Sequence, residues 1–151
     1  MNWQWRSFAE LKNNELYEML ALRQQVFMLE QKCFYNDLDY LDQDAMHLLG
    51  RNNDKLIAYL RLLPLHVPYL NAVSMGRVVT DKTVRGQGVS KKMLQQAFLF
   101  LEKNNNTAPI IISAQFYLKK FYESFEFLAS GKPYDEDGIL HIKMIRNEKR
   151  S

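Results

Sequence analysis

The sequence predicts a mixed α/β fold, an α+β mixed sheet in one domain over residues 1–151, and three observations carry that expectation. The segment "VSKKMLQQAFLFLEK" sets Val89, Met93, Leu94, Ala97, Phe98 and Leu101 on one stripe at helical spacing. After it, "PIIISA" is a short, wholly apolar run of the kind that forms a strand buried on both faces. Several other short runs are rich in aliphatic and aromatic residues and end at turn residues.

Taken in order, "NWQWRSF" alternates Trp3 and Trp5 with polar neighbours, a strand pattern. From Glu15 to Gln31 the spacing of Leu16, Met19, Leu20, Val26 and Phe27 predicts a helix, with Arg23 and Glu30 on or beside its apolar face. An acidic, aromatic connection, "CFYNDLDYLDQDA", follows without periodicity. "MHLLGRNNDKLIAYLRLLPL" predicts a hairpin turning between Arg51 and Asp54, and "NAVSMGRVVT" a further strand beside it. The glycine loop then opens the helix already described. Beyond the apolar strand, "FYLKKFYESF" predicts a compact helix with Tyr117, Leu118, Phe121, Tyr122 and Phe125 inward. The end of the chain predicts two strands around an Asp137-Gly138 turn. The order is β, α, three strands, α, β, α, two strands.

Composition bounds the function. A hydrophobic share of 47% and a charged share of 25% are those of an ordinary soluble globular protein. The net charge of +3 helps an anionic ligand approach, but the basic residues are scattered among acidic ones, which argues against a nucleic-acid surface. The single cysteine, Cys33, excludes an intramolecular disulfide and a multi-cysteine metal site, and is expected to be a small apolar residue rather than a nucleophile. The most apolar stretch, "LIAYLRLLPLHVPYL", is interrupted by Arg61, Pro64, His66 and Pro68, and the N-terminus lacks a secretory pattern, so a cytoplasmic protein without a membrane span is expected.

The loop "RGQGVS", Arg85–Ser90, is the most informative short stretch. Glycines between a strand and a helix let main-chain N–H groups face an anion at the positive end of a helix dipole. The same glycines also serve a bare turn. "GQGVSKK" lacks the spacing of a Walker A loop, and Lys91 stands where the dinucleotide fingerprint needs its third glycine. The acidic run Asp37, Asp39, Asp42 and Asp44 fits a solvated loop or a surface that attracts a cationic amine. It departs from a calcium loop, which needs glycine where Asp42 stands.

Arg85–Ser90 resembles the coenzyme A pyrophosphate loop of N-acyltransferases, Arg/Gln-x-x-Gly-x-Gly/Ala, in all but its last position. With "GRVVT" before it and "FYESFEF" after the apolar strand, nearly the whole chain resembles the GNAT superfamily of acetyl-CoA-dependent N-acyltransferases. The blocks "LRQQVFMLEQKC", "DLD", "DAMHLL", "AYLRLLP", "SAQ" and "PYDEDGILHIKM" resemble its ElaA-like branch, in order. The resemblance implies a mostly antiparallel sheet with a splayed parallel pair and helices on both faces. It implies transfer of an acetyl group from acetyl-CoA, a cosubstrate, to a small-molecule or protein amine by direct attack in a ternary complex, without a metal. It further implies a monomer or homodimer with no nucleic-acid or membrane partner.

By position, the resemblance assigns the pantetheine and the thioester carbonyl to main-chain groups of Val78, Val79 and Thr80, and the pyrophosphate to Arg85, Gly86, Gln87, Gly88, Val89 and Ser90. Tyr122 corresponds to the acid that reprotonates the leaving thiolate. For the base, His141, His47, Glu30 and a held water all compete; His141 comes first, because its block lies where the acceptor side would close. Ser90, Lys82, Glu126 and Gln115 depart from the residues usual at their positions, Glu126 standing where glycine precedes an aromatic residue. A non-catalytic acyl-CoA-binding regulatory module is the alternative, keeping the loop and losing the chemistry.

Overall fold

The seven strands of the described residues form one open sheet with helices packed over it. The computed structural model describes residues 1–148. The strands are β1 (Asn2–Ser7), β2 (Met46–Asn52), β3 (Lys55–Leu63), β4 (Val73–Thr80), β5 (Ile110–Gln115), β6 (Leu128–Glu136) and β7 (Ile139–Arg146). The helices are α1 (Asn13–Arg23), α2 (Val89–Lys103) and α3 (Lys119–Glu123). The sheet order is β1-β2-β3-β4-β5-β7-β6, and β4 with β5 is its parallel pair. This is the mixed sheet expected from the sequence, with the hairpin turns at Asn53-Asp54 and Asp137-Gly138 where they were predicted.

Two apolar layers sandwich the sheet. On one face the stripe of α2, with Met93, Leu94 and Ala97 fully buried, packs on Leu48, Leu60 and Leu62 of β2 and β3. On the other, Met19, Leu22, Val26 and Phe27 pack on Leu49, Tyr59 and Val79. β3 serves both layers, which is why every residue from Leu56 to Leu63 is buried. No described helix is long and apolar enough to cross a membrane.

Two helical expectations need correction. The segment predicted as one helix is α-helical only to Arg23 and continues as a wider π-helical coil over Gln24–Glu30, closed by Gln31 N–H to Val26 C=O at 3.2 Å. Apolar spacing alone does not distinguish the two windings over so few residues. In the second, a 3-10 turn over Phe116–Leu118 precedes the short α3, and Tyr117, predicted to point inward, is 72% exposed. The eclipsed 3-10 turn swings Tyr117 off the apolar face that Phe121 and Tyr122 share. Glu126 holds φ 69°, the left-handed conformation for which glycine is the usual residue there.

The feature that shapes the molecule lies at its centre. β4 and β5 pair only at Val73↔Ile110 and Ser74↔Ile111, then part. β5 goes on to pair with β7 along its whole length, while β4 stays with β3. From Met75 to Thr80 the β4 backbone therefore has no strand partner on its β5 side.

Candidate functional site

The parting of β4 and β5 opens a cleft of about 740 Å³. One wall is β4 with the glycine loop, represented by Val78, Val79, Thr80, Arg85 and Ser90. The opposite wall is β5, α3 and the β6–β7 hairpin, with Gln115, Tyr122, Glu136 and His141. The cleft thus brings together residues from both halves of the chain that were singled out from sequence. Gly86, Gln87 and Gly88 form the exposed turn at its mouth, and the Val89 side chain is buried beneath α2.

The loop fits an anion. Gly86 and Gly88 hold φ of 80° and 76°, with open space above both, and Gly88 caps α2. No side chain caps the N-terminus of α2 and no acidic residue occupies its first turn, so its N–H groups and dipole face outward without a competitor. Arg85 is drawn over the mouth: its Nη2 donates to Thr80 C=O at 2.9 Å and pairs with Glu30 Oε2 at 2.8 Å. Glu30, carried there by the π-helical coil, is committed to this pair.

On the opposite wall, Tyr122 is 5% exposed, edge-on to Phe121 and Phe127. Burial, and secondarily Tyr117, pushes its phenol above the ordinary range, so it is protonated at neutral pH. His141 has oxygen at both ring nitrogens: Ile139 C=O lies 2.7 Å from Nδ1 and Glu136 Oε2 lies 3.2 Å from Nε2. Ser113 hydrogen-bonds to both Tyr134 and Glu136, so the carboxylate sits in a polar cluster on the hairpin. Sequence reasoning missed Glu136; its signal was the "YDEDG" run, which places it across the β6–β7 hairpin from His141. His47, the rival base, is fully buried outside the cleft. Its Nε2 donates to Asp42 C=O at 2.9 Å, which leaves Nδ1 to accept from Tyr59 Oη at 2.6 Å. Cys33 is buried, donates to Asp137 C=O at 2.7 Å, and is pushed toward its thiol form by burial and by Asp137 and Asp135.

The acidic run differs most from expectation. Asp44 is exposed, but Asp37 and Asp42 are buried, and with Asp39 they bind three arginines. Fully buried Arg23 donates to Asp37 Oδ2 and Asp42 Oδ1, each at 2.8 Å. Arg61 donates to both oxygens of Asp39 at 2.8 Å and to Asp42 Oδ1 at 3.0 Å. Arg77 Nη2 donates to Asp37 C=O at 2.9 Å and to Asp39 Oδ2 at 3.4 Å. Its Nε lies 2.8 Å from Asp37 Oδ1, close enough for charge attraction though the N–H is not aligned along the contact. A short-range reading of four aspartates cannot see arginines 14 to 40 residues away that neutralise them.

A family model described as an acetyltransferase (GNAT) domain matches residues 8–147. A UPF0039 protein of Synechocystis is 42% identical over 146 residues, covering 96% of this chain and 94% of that protein. The protein ElaA of Escherichia coli is 37% identical over 148 residues, covering 97% of this chain and 96% of its own. Among solved structures, an acyl-CoA N-acyltransferase from Pseudomonas aeruginosa matches with a TM-score of 0.90 at 36% identity, covering 97% of this chain and 99% of that one. The crystal structure of Escherichia coli ElaA matches equally well, with the same score, identity and coverage.

The charge network makes stability pH-dependent. Burial alone would raise the Asp39 carboxyl, but hydrogen bonds and charge from Arg61, with help from Leu41 N–H and Arg77, bring it down to about 2. Asp42 is lowered too: burial opposes this, and Arg23 and Arg61 outweigh it. Burial, against Asp42, lowers His47. A lowered pKa in the folded state gives stability that is present above the unfolded value and lost as pH falls. The melting temperature should therefore be level between about pH 6.5 and 8, sag below that window as His47 resists protonation, and drop further between about pH 4 and 2. Above about pH 8.5 it should fall as buried Cys33 and the buried and half-buried tyrosines resist deprotonation. Asp39→Asn should melt lower than wild type at pH 7 and descend less steeply between pH 4 and 2, read by calorimetry across pH.

Proposed function

Because the chain belongs to the acetyltransferase (GNAT) family, we propose that it moves the acetyl group of acetyl-CoA to a primary amine by direct attack, both reactants being held in the cleft together. The observation that carries this reading is the β4 edge, whose main chain lacks a strand partner from Met75 to Thr80 and leads into the Arg85–Ser90 loop. A pantetheine arm is an extended chain with amide groups, and it pairs with such an edge much as a strand would. Val78, Val79 and Thr80 supply those main-chain groups. The amides of Arg85–Ser90 and the uncapped start of α2 hold the pyrophosphate. When bound, acetyl-CoA supplies an activated acyl thioester with a thiolate leaving group.

The acceptor, a small-molecule or protein amine, attacks through its lone pair. An amine with pKa about 10.4 is neutral in roughly one molecule in 2,500 at pH 7, a deficit of about 4.6 kcal/mol. Holding the reactants together offsets several kcal/mol of the barrier, and main-chain donors on β4 stabilise the charge that develops on the carbonyl oxygen. His141 takes the amine proton. Nδ1–H donates to Ile139 C=O, so the proton is accepted on Nε2, and Glu136 Oε2 beside it then pairs with the imidazolium. Tyr122 returns a proton to the leaving sulfur. The burial that raises its phenol also disfavours a thiolate charge nearby, so the transfer is not penalised as it would be against a solvated thiolate.

Acetyl-CoA at about 100 times its dissociation constant should add roughly 2.7 kcal/mol of stability, a rise of several degrees in thermal unfolding, with ATP and NADH giving none. No rise with acetyl-CoA, or an equal one with ATP, would remove the reading. Tyr122→Phe should keep that shift yet slow CoA release at least tenfold in the presence of primary amines; unchanged release would exclude Tyr122 as the acid. His141→Ala should slow CoA release at saturating acetyl-CoA by about a hundredfold and Glu136→Gln by less, whereas unchanged release in both would exclude this pair.

A further inference from the structure

On the reading that β4 carries the donor's carbonyl, we propose that Arg77 is a positioning residue whose clamp by Asp37 and Asp39 holds the bulge of β4 that turns Val78 toward the cleft. The bulge is visible in the register. Tyr59 of β3 pairs with Val79 and Arg61 with Gly76, so Arg77 and Val78 together face Leu60 alone. Arg77 sits at φ 51°, a conformation that a residue with a Cβ adopts only where its surroundings impose it.

The surroundings that impose it are all on one side. Arg77 is held by Asp37 C=O, by the carboxylates of Asp37 and Asp39, and by the face of Tyr35, whose ring centre lies 5.6 Å from the guanidinium. Those aspartates are themselves fixed from beneath by buried Arg23 and Arg61. On its other side β4 has no strand to lock it, because the pairing with β5 ended at Ser74. The register of the donor edge at Val78 therefore depends on the clamp. A one-residue relaxation of the bulge would turn the following main-chain groups to the opposite side. Displacements of about 1 Å at a reacting centre are enough to cost two orders of magnitude in rate.

Glycine separates holding from touching. Arg77→Ala loses the clamp and keeps the penalty of a Cβ at left-handed φ; Arg77→Gly loses the clamp and the penalty together. In the ligand-free protein, amide exchange at Tyr59 and Val79, which pair across the bulge, should be about 5 to 30 times faster in Arg77→Ala than in Arg77→Gly, the ratio expected from that penalty. Calorimetric binding of acetyl-CoA should weaken about tenfold in Arg77→Ala and stay within about threefold of wild type in Arg77→Gly. Equal exchange and equal weakening in the two variants would overturn the proposal and make Arg77 a ligand contact; wild-type behaviour of Arg77→Ala would overturn it as well. If Arg77→Ala does not fold, Asp39→Asn, which loosens the clamp without removing the arginine, should still raise exchange at Val79, and no rise would count against the proposal. Wild type that fails to bind acetyl-CoA would sink the transferase reading, while the exchange comparison would still decide what Arg77 does.

Discussion

Three guanidinium groups enter the protein interior on the α1 side, and little of the architecture there is possible without the aspartates that meet them. A charge withdrawn from water without a partner costs several kcal/mol even after relaxation, and breaking one side of a buried pair typically costs 3–5 kcal/mol. Arg23 comes from α1, Arg61 from β3 and Arg77 from β4, whereas Asp37, Asp39 and Asp42 come from one connection between α1 and β2. Beyond the π-helical coil that begins it, that connection has no regular structure apart from a 3-10 turn at Asp42–Asp44. Its path is set instead by having to neutralise three cations at once. The result is an electrostatic joint linking a helix and two strands, with Tyr59 and His47 as its hydrogen-bonded floor.

The sheet supplies the complementary constraint. A strand in the middle of a sheet satisfies its backbone on both sides, and β4 gives this up after Ser74. What would be a defect in a purely structural sheet becomes an accessible edge, because the unpaired backbone lines a cleft rather than a packed core. The apolar layer bridges the gap: α2 packs on β2, β3 and β4 and reaches Phe125 and Phe127 through Phe98, while β7 pairs with β5 along its whole length. The polar cluster of Ser113, Tyr134, Glu136 and His141 then belongs to the half that β7 secures, and the glycine loop to the half that β3 secures.

How much of this could be read from residues alone follows from the range of the forces involved. The helix α2, the apolar β5, both hairpins and the glycine loop that opens α2 are written in local spacing and turn chemistry, and they were legible. Tyr122 and His141, marked by their blocks and not by their neighbours, both line the cleft. The ion network was not legible, because charge pairing is indifferent to sequence distance and four aspartates in a row look like a solvated surface. The π-helical coil was missed because it preserves apolar spacing while shifting Glu30 onto Arg85. The bulge at Arg77 was hidden for a related reason: nothing in "GRVVT" states that the residue after the glycine, not the glycine itself, takes the positive φ.

One short turn has consequences for the cleft as a whole. Within four residues, Glu30 holds the glycine loop through Arg85, Gln31 accepts from Gln115 at the end of β5 at 3.2 Å, and Cys33 holds the β6–β7 hairpin through Asp137. The two halves that the parted strands separate are therefore moored to a common post. An anion that competes with Glu30 for Arg85 loosens the mooring on the loop, the first of the three. Any free energy that this shared segment carries between the loop and the hairpin side is the same in both directions.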